Sequence, residues 1–334
     1  MTEASASRAS AQGYLVGVDI GGTRLKTGLV RLDGTVERPT VDDTGGEAFD
    51  AVLERVRAHV RGHLDAGGDG ALGLGVALPG IVEAGFGSRY LPGKVRGIEG
   101  FALRTELETR FGLPARCTND GAAATLAEWR FGAARGFDDI VGLTIGTGIG
   151  SGVVVAGRPF ETANLGNGIS VGHFTIQTGG RLCLCGNRGC AETLVSANAV
   201  AGRLRDALTR LVPSVLADDF ARDPSSITFR SLAAGVRVGD PVCLEVLEGF
   251  VRDLGATIVT AIHAYNPAVV ILAGGPLAAA DLFLADVQAY VDRHAFIFPK
   301  GRIVELRRAH LEEHAGVLGA AALVLSAVET GARA

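Results

Sequence analysis

Three of the chain's five cysteines fall within eight positions, inside the stretch GHFTIQTGGRLCLCGNRGCAE at 172–192. The spacing His173-x9-Cys183-x-Cys185-x4-Cys190 offers three thiolates and one imidazole. That is the soft donor set of a closed tetrahedral zinc site. Gly186 and Gly189 let the short loop fold back so that Cys185 and Cys190 can face one ion. The other reading, three unrelated small hydrophobes in a core, sits poorly with the Gly, Asn and Arg between them. Four protein ligands leave no open position, so the expected zinc is structural rather than catalytic. Cys117 and Cys243, in apolar surroundings, read as plain core residues.

A second set of residues suits phosphate. VGVDIGGTRLKTGLV begins at Val16 and VGLTIGTGIGSGVVV at Val141, with Gly17/Gly142, Ile20/Ile145, Gly21/Gly146 and Val30/Val155 coinciding. Each copy reads as strand, Gly/Thr-rich turn, strand: a hairpin whose tip exposes backbone N–H groups. Glycine lets phosphate oxygens approach closely and threonine adds a hydroxyl donor. Two such tips in matched positions suggest duplicated lobes gripping one polyphosphate. Asp19, entering the first turn, is placed to meet a Mg²⁺ on those phosphates. Thr144 stands at the equivalent place in the second copy, so the halves differ chemically. GTGIGSG is not a dinucleotide fingerprint, because it runs into a strand where that motif requires a helix.

In CTNDGAAATLAEWRFG, 117–132, a short strand passes into an Ala-rich helix through Asn119-Asp120-Gly121. Asn and Asp are favoured N-caps. Asp120 could equally be a general base that orients and deprotonates an attacking hydroxyl, with the helix N-terminus favouring its charged form. Phosphoryl transfer needs little else: a positioned nucleophile, gripped phosphates and a metal.

The elements that must hold these groups follow from periodicity. Strands alternate with helical patterns over 334 residues, an α/β signature in a chain long enough for two domains. Phe49, Val52, Leu53, Val56, Val60 and Leu64 recur at helical spacing; ALGLGVAL and PAVVILAGG read as buried strands. Residues 241–265 predict one long helix stopped by Asn266-Pro267. Net charge is −4, so no basic field advertises nucleic acid or an anionic membrane. Residues 1–12 read as a disordered tail without the apolar core of a secretory signal. The most apolar stretches are too short, or too broken by Gly and Thr, to span a bilayer. A cytoplasmic location without nucleic-acid or membrane partners is expected, and the odd cysteine number argues against a disulfide framework there.

Together these residues resemble the ROK family of sugar kinases (repressor, open reading frame, kinase), within the actin, hexokinase and Hsp70 superfamily, over Tyr14 to the C-terminal helix. DIGGT and GTGIGSG are similar to its two phosphate motifs and NDGAAATLAE to its catalytic segment. GHFTI…CLCGNRGCAE is similar to its zinc signature, NPAVVILAGG to the strand and turn beside the adenosine, and HAGVLGAAALVL to its closing helix. The resemblance implies a ribonuclease-H-like, actin-like ATPase fold of two lobes with a cleft between them. A small lobe would span 13–120, closed by a helix at 315–330. A large lobe would span 121–314 and carry the zinc loop 173–192. It implies an ATP-dependent hexose kinase, glucokinase-like, using ATP, Mg²⁺ and structural zinc, and forming a homodimer or higher homo-oligomer.

Carried over by motif, Asp120 is the base, and Asn119, Asp120, Ser170, His173 and Glu192 hold the sugar. Asp19, Gly21, Gly22, Thr23, Lys26, Gly146, Thr147, Gly148, Gly274 and Gly275 hold the nucleotide and its metal. The zinc loop would then be a staple setting His173 and Glu192 against the sugar, although Glu192 alone also reads as an exposed first-turn helix residue. One departure matters. Family glucokinases carry Glu-x-Gly-His, whereas this chain has SVGH, with Ser170 in the sugar-binding Glu position. Lys94 and Arg96, in YLPGKVRGIEGF, read as a solvated loop, or alternatively reach an anionic or amide-bearing substrate. The competing functions are a sugar-responsive regulator of the same family and a non-catalytic sugar sensor. The regulators carry a helix-turn-helix domain ahead of the first phosphate strand, for which the dozen residues here leave no room.

Overall fold

The computed structural model describes residues 13–83, 86–90, 95–161, 170–311 and 313–331. The tail at 1–12 and Lys94 lie outside these. The chain forms two units: one holds residues through 138 with 152–169 and 309 onward, the other 139–151 and 170–308.

The first unit opens with β1 (Tyr14–Ile20), β2 (Arg24–Arg31) and β3 (Val36–Asp43), then α1 (Phe49–Gly67) and β4 (Ala71–Leu78). The short hairpin β5 (Ile81–Glu83) and β6 (Gly87–Tyr90), α2 (Leu103–Phe111), β7 (Ala115–Asn119) and α3 (Asp120–Phe131) follow. The sheet order is β3-β2-β1-β4-β7, with β1 antiparallel to β2 and β4 parallel to both β1 and β7. Period-two alternation sorts β1 between two cores. Val16, Val18 and Ile20 pack with Phe49, Val52 and Val56 of α1, whereas Leu15 packs with Val317, Leu318 and Val324 on the other side.

The chain then runs through β8 (Ile140–Ile145), β9 (Ile149–Val155) and β10 (Arg158–Pro159), returning to the first unit inside β9, after Ser151. The second unit continues with α4 (Glu192–Val195), α5 (Ala197–Thr209), α6 (Ala217–Arg222), α7 (Phe229–Arg237), α8 (Pro241–Tyr265), β11 (Val269–Ala273), α9 (Leu284–His294) and β12 (Glu305–Arg308). The sheet order is β10-β9-β8-β11-β12, with β11 parallel to both β8 and β12. Asp240 caps α8 by accepting from Cys243 N at 2.9 Å, and Asn266 ends it in the left-handed region at φ 49°. Phe250 packs edge-on against Phe229 and Phe283, each at 5.2 Å between ring centres.

The last helix, α10 (Ala315–Thr330), belongs to the first unit. It lies flush on the sheet because no side chain intervenes: a Cβ on Gly17 or Gly75 would overlap the carbonyl oxygens of Val317 or Ala320. On its far side Gly319 sits against the Ala123 carbonyl of α3. This packing keeps α3 with the first unit, which extends through Asp138 rather than stopping at Asp120. Among the described residues no helix is long and apolar enough to cross a membrane.

Candidate active site

The first unit gathers Asp19, the Gly21–Thr23 turn, Lys26, Asn119 and Asp120. Asp19 and Lys26 are cross-strand partners in the β1–β2 hairpin. Lys26 Nζ donates to the Glu313 carbonyl at 2.9 Å, just ahead of α10. The Asp19 carboxylate lies against Gly316 in the first turn of that helix, where a Cβ would overlap it. Burial, reinforced by the charge of Asp120 and opposed by Lys26, raises the Asp19 carboxyl to about 6. Two acidic groups that disfavour each other's charge suit a shared cation.

The Asn119-Asp120 pair divides its labour. Asn119 is the N-cap of α3: its Oδ1 accepts from Gly121 N at 2.9 Å, and its Nδ2 donates to the Gly80 carbonyl at 2.6 Å. Asp120 stands exposed at the first helical position, with Oδ1 also accepting from Gly121 N at 2.8 Å.

The second unit gathers the Gly146–Gly148 turn, Ser170, the cysteine loop, Glu192 and Gly274. The two glycine turns close alike. Gly21 N donates to Arg24 O at 2.8 Å and Gly146 N to Gly148 O at 2.9 Å. The first N–H of each tip is therefore engaged in the turn, while Thr23 and Thr147 are exposed in both. Gly274, at φ 103°, sits on the Ile145 carbonyl at the base of the second turn, and a Cβ on Gly275 would meet open space.

The four expected metal ligands converge. The ligand atoms of His173, Cys183, Cys185 and Cys190 all lie within 4.8 Å of one another. Cys185 and Cys190 sulfurs are 3.7 Å apart, and Cys183 Sγ is 3.6 Å from His173 Nδ1. A tetrahedral ion with metal–sulfur bonds of about 2.3 Å has ligand edges of about 3.8 Å, so the donor set fits zinc. His173 turns Nδ1 to the thiols, which leaves Nε2 for a second partner. Burial pushes the Cys190 thiol up to about 12, so a metal ion must displace a proton to bind there. Cys117 and Cys243 are buried free thiols, as core residues should be.

Glu192, in the first turn of α4, is partly exposed. Its Oε2 accepts from Ile149 N at 2.9 Å, and its Oε1 lies 3.9 Å from Cys183 Sγ. Ser170 lies just ahead of the Val171–His173 turn and accepts through its carbonyl from His173 N at 2.9 Å. Arg96 is exposed but anchored, donating to the Gly46 carbonyl at 2.8 Å.

Two residues of this region carry no role in the sequence reading. Glu128, 1% exposed, accepts from the backbone N–H groups of Ala133, His310 and Leu311, each at 2.7 Å. It ties α3 to the segment that leads into α10. A glutamate inside the apolar run AAATLAEW is the one local signal of it; two of its three donors, His310 and Leu311, are far along the chain. Gly316 gives no signal at all within its Ala/Gly-rich helix.

The ROK family profile matches residues 15–327. A glucokinase of Thermotoga maritima is 33% identical over 93% of this chain and 96% of its own length. A putative xylose repressor of a Caldicellulosiruptor species is 28% identical over 94% of this chain and 78% of its own. The structure of a ROK family glucokinase from Streptomyces griseus, in complex with glucose and AMPPNP, superposes with a TM-score of 0.74. It is 26% identical and covers 93% of this chain and 99% of its own.

Proposed function

Since this chain belongs to the ROK family, we infer that it is an ATP-dependent sugar kinase, moving the γ-phosphate of ATP to a hydroxyl of a hexose or hexose derivative. The observation that carries this reading is the helix start at Asn119–Asp120: Asn119 caps the helix, and the Asp120 carboxylate beside it, with one oxygen on the same Gly121 N–H, is exposed. Asp120 takes the proton of the acceptor hydroxyl as it attacks. Asn119, Ser170, His173 through Nε2, and Glu192 through Oε1 hold the remaining hydroxyls. The Gly21-Gly22-Thr23 and Gly146-Thr147-Gly148 turns hold the phosphates, with Lys26 beside them and Gly274 and Gly275 on the adenosine side. Asp19 faces the magnesium. Magnesium ATP, when bound, supplies the phosphoryl group and the positive charge its transfer requires. His173, Cys183, Cys185 and Cys190 would hold a structural zinc, whose place is to fix the loop rather than to react.

Serine at 170 supplies a shorter, uncharged contact than glutamate would, which weakens the case for glucose as the preferred acceptor. A coupled ATP assay across glucose, mannose, fructose, allose, N-acetylglucosamine and N-acetylmannosamine, with product regiochemistry by NMR, identifies the substrate. Asp120→Asn should lower kcat by about 10²-fold or more, the size of a general-base effect. Its melting temperature should stay near wild type, because Asn119 does the capping. Near-wild-type turnover in that variant would falsify the assignment. Sugar binding without turnover on any member of the panel would favour a non-catalytic sensor or, in line with the repressor relative, a regulator. Exposed Phe296, Phe298 and Ile303 on one loop of the second unit support self-association, which light scattering checks.

A further inference from the structure

Both ends of the cysteine loop close on the second glycine turn. Upstream, Val171 N donates to Ser151 Oγ at 2.9 Å. Gly172 packs on Ile149 so tightly that a Cβ would lie 2.8 Å from its carbonyl oxygen. Downstream, Glu192 Oε2 accepts from Ile149 N at 2.9 Å, and a Cβ on Gly148 would overlap that same oxygen. Ala197 N then donates to the Gly146 carbonyl at 2.8 Å. The short helix bearing Glu192 is braced in turn by Arg203, which bonds the Leu194 carbonyl and pairs with Asp253 at 3.1 Å.

We propose that Glu192 is a positioning residue for the Gly146–Gly148 turn, so that the metal-bearing loop sets nucleotide affinity as well as sugar contact. This rests on the sugar-kinase reading. The physical argument is one of peptide planes. Ile149 N belongs to the plane that begins at Gly148, so fixing its direction fixes Gly148 ψ, a dihedral that glycine leaves soft. The orientation of the tip amides follows. Among the contacts on this turn, that of Glu192 joins a charged acceptor to a backbone donor, the stronger class of hydrogen bond. Its two carboxylate oxygens face different ways, Oε2 onto the turn and Oε1 toward the loop. Removing zinc should therefore loosen the phosphate turn, although no metal ligand belongs to it.

The test titrates Mg-AMPPNP into the zinc-loaded protein by calorimetry with no sugar present, so that sugar contacts cannot enter. Glu192→Ala should bind the nucleotide about tenfold more weakly, as loss of one charge-assisted hydrogen bond predicts. Glu192→Gln, whose amide oxygen still accepts, should stay within about threefold. Hydrogen exchange at the Ile149 amide should quicken in the alanine variant and stay slow in the glutamine variant. Nucleotide affinity and Ile149 exchange both unchanged in Glu192→Ala overturn the proposal. Should that variant lose zinc, Gly148→Ala interrogates the same contact from the other side. Its Cβ displaces the carboxylate without touching a metal ligand, so exchange at the Ile149 amide should quicken there too; unchanged Ile149 exchange in zinc-loaded Gly148→Ala overturns the proposal. Failure of the wild type to bind nucleotide defeats the kinase reading instead, and the Ile149 exchange comparison still decides the contact.

Discussion

Asp19 is a carboxylate enclosed beside another carboxylate, an unfavourable group until a cation arrives. Its carboxyl titrates near 6, above the ordinary 3.8, because burial and Asp120 both disfavour its charge. The native protein thus holds this proton more tightly than the unfolded chain does. Stability is highest below the ordinary value and falls as pH rises between about 4 and 6, leaving a deficit of about 3 kcal/mol at neutral pH. Asp19→Asn should remove that deficit. In metal-free buffer at pH 7.5 the variant should melt a few degrees higher than wild type and show a flatter profile from pH 4 to 6, while its turnover collapses. Calorimetry across that range checks it; a variant melting at or below wild type at pH 7.5 contradicts the assignment. Stability is here subordinate to the site, a trade common where charge must be held ready.

Packing decides matters among the elements, and two helical glycines with opposite surroundings show how. Glycine to alanine inside a helix ordinarily stabilises by about 0.5–1 kcal/mol. Gly62 in α1 is exposed, with open space where its Cβ would stand, so Gly62→Ala should follow that rule. Gly319 in α10 has the Ala123 carbonyl there instead. Overpacking costs about 1–3 kcal/mol, which exceeds the propensity gain, so Gly319→Ala should destabilise. Denaturant titration of the two variants should shift the midpoint in opposite directions. The sequence shows α1, α8 and the two hairpins plainly, because periodicity and the Asn266-Pro267 stop are local signals. The cysteine loop is legible on chemical grounds, since soft ligands at such close spacing suit little besides a metal ion. The partners of Gly319, Gly316 and Glu128 were not legible. Two of the three donors to Glu128 lie 182 and 183 positions away, and nothing near it in the chain announces them. Glu192 was half legible. Its place beside the metal signature was readable, and its bond to Ile149, which depends on how β8 and β9 turn, was not.

Over the whole molecule, the alternation of strands and helices announced the α/β class, and the repeated glycine motif announced its two halves. Where the chain changes units was hidden: of its four crossings one falls in mid-strand, after Ser151, with no glycine-proline linker to mark it. The first unit is thus assembled from three separated stretches, and its closing piece is α10. That arrangement imposes a schedule on the cell. Synthesis runs from the amino end at roughly 5–20 residues per second, so α10 follows Asp138 by roughly 10 to 35 s. Throughout that interval the glycine-faced side of the first sheet, shaped to receive a helix, has none to receive. A nascent chain halted before Ala315 should expose that apolar surface to chaperones and proteases, and it should become resistant only once α10 has emerged. Maturation of the first unit is in this sense late, though all five strands of its sheet are made first.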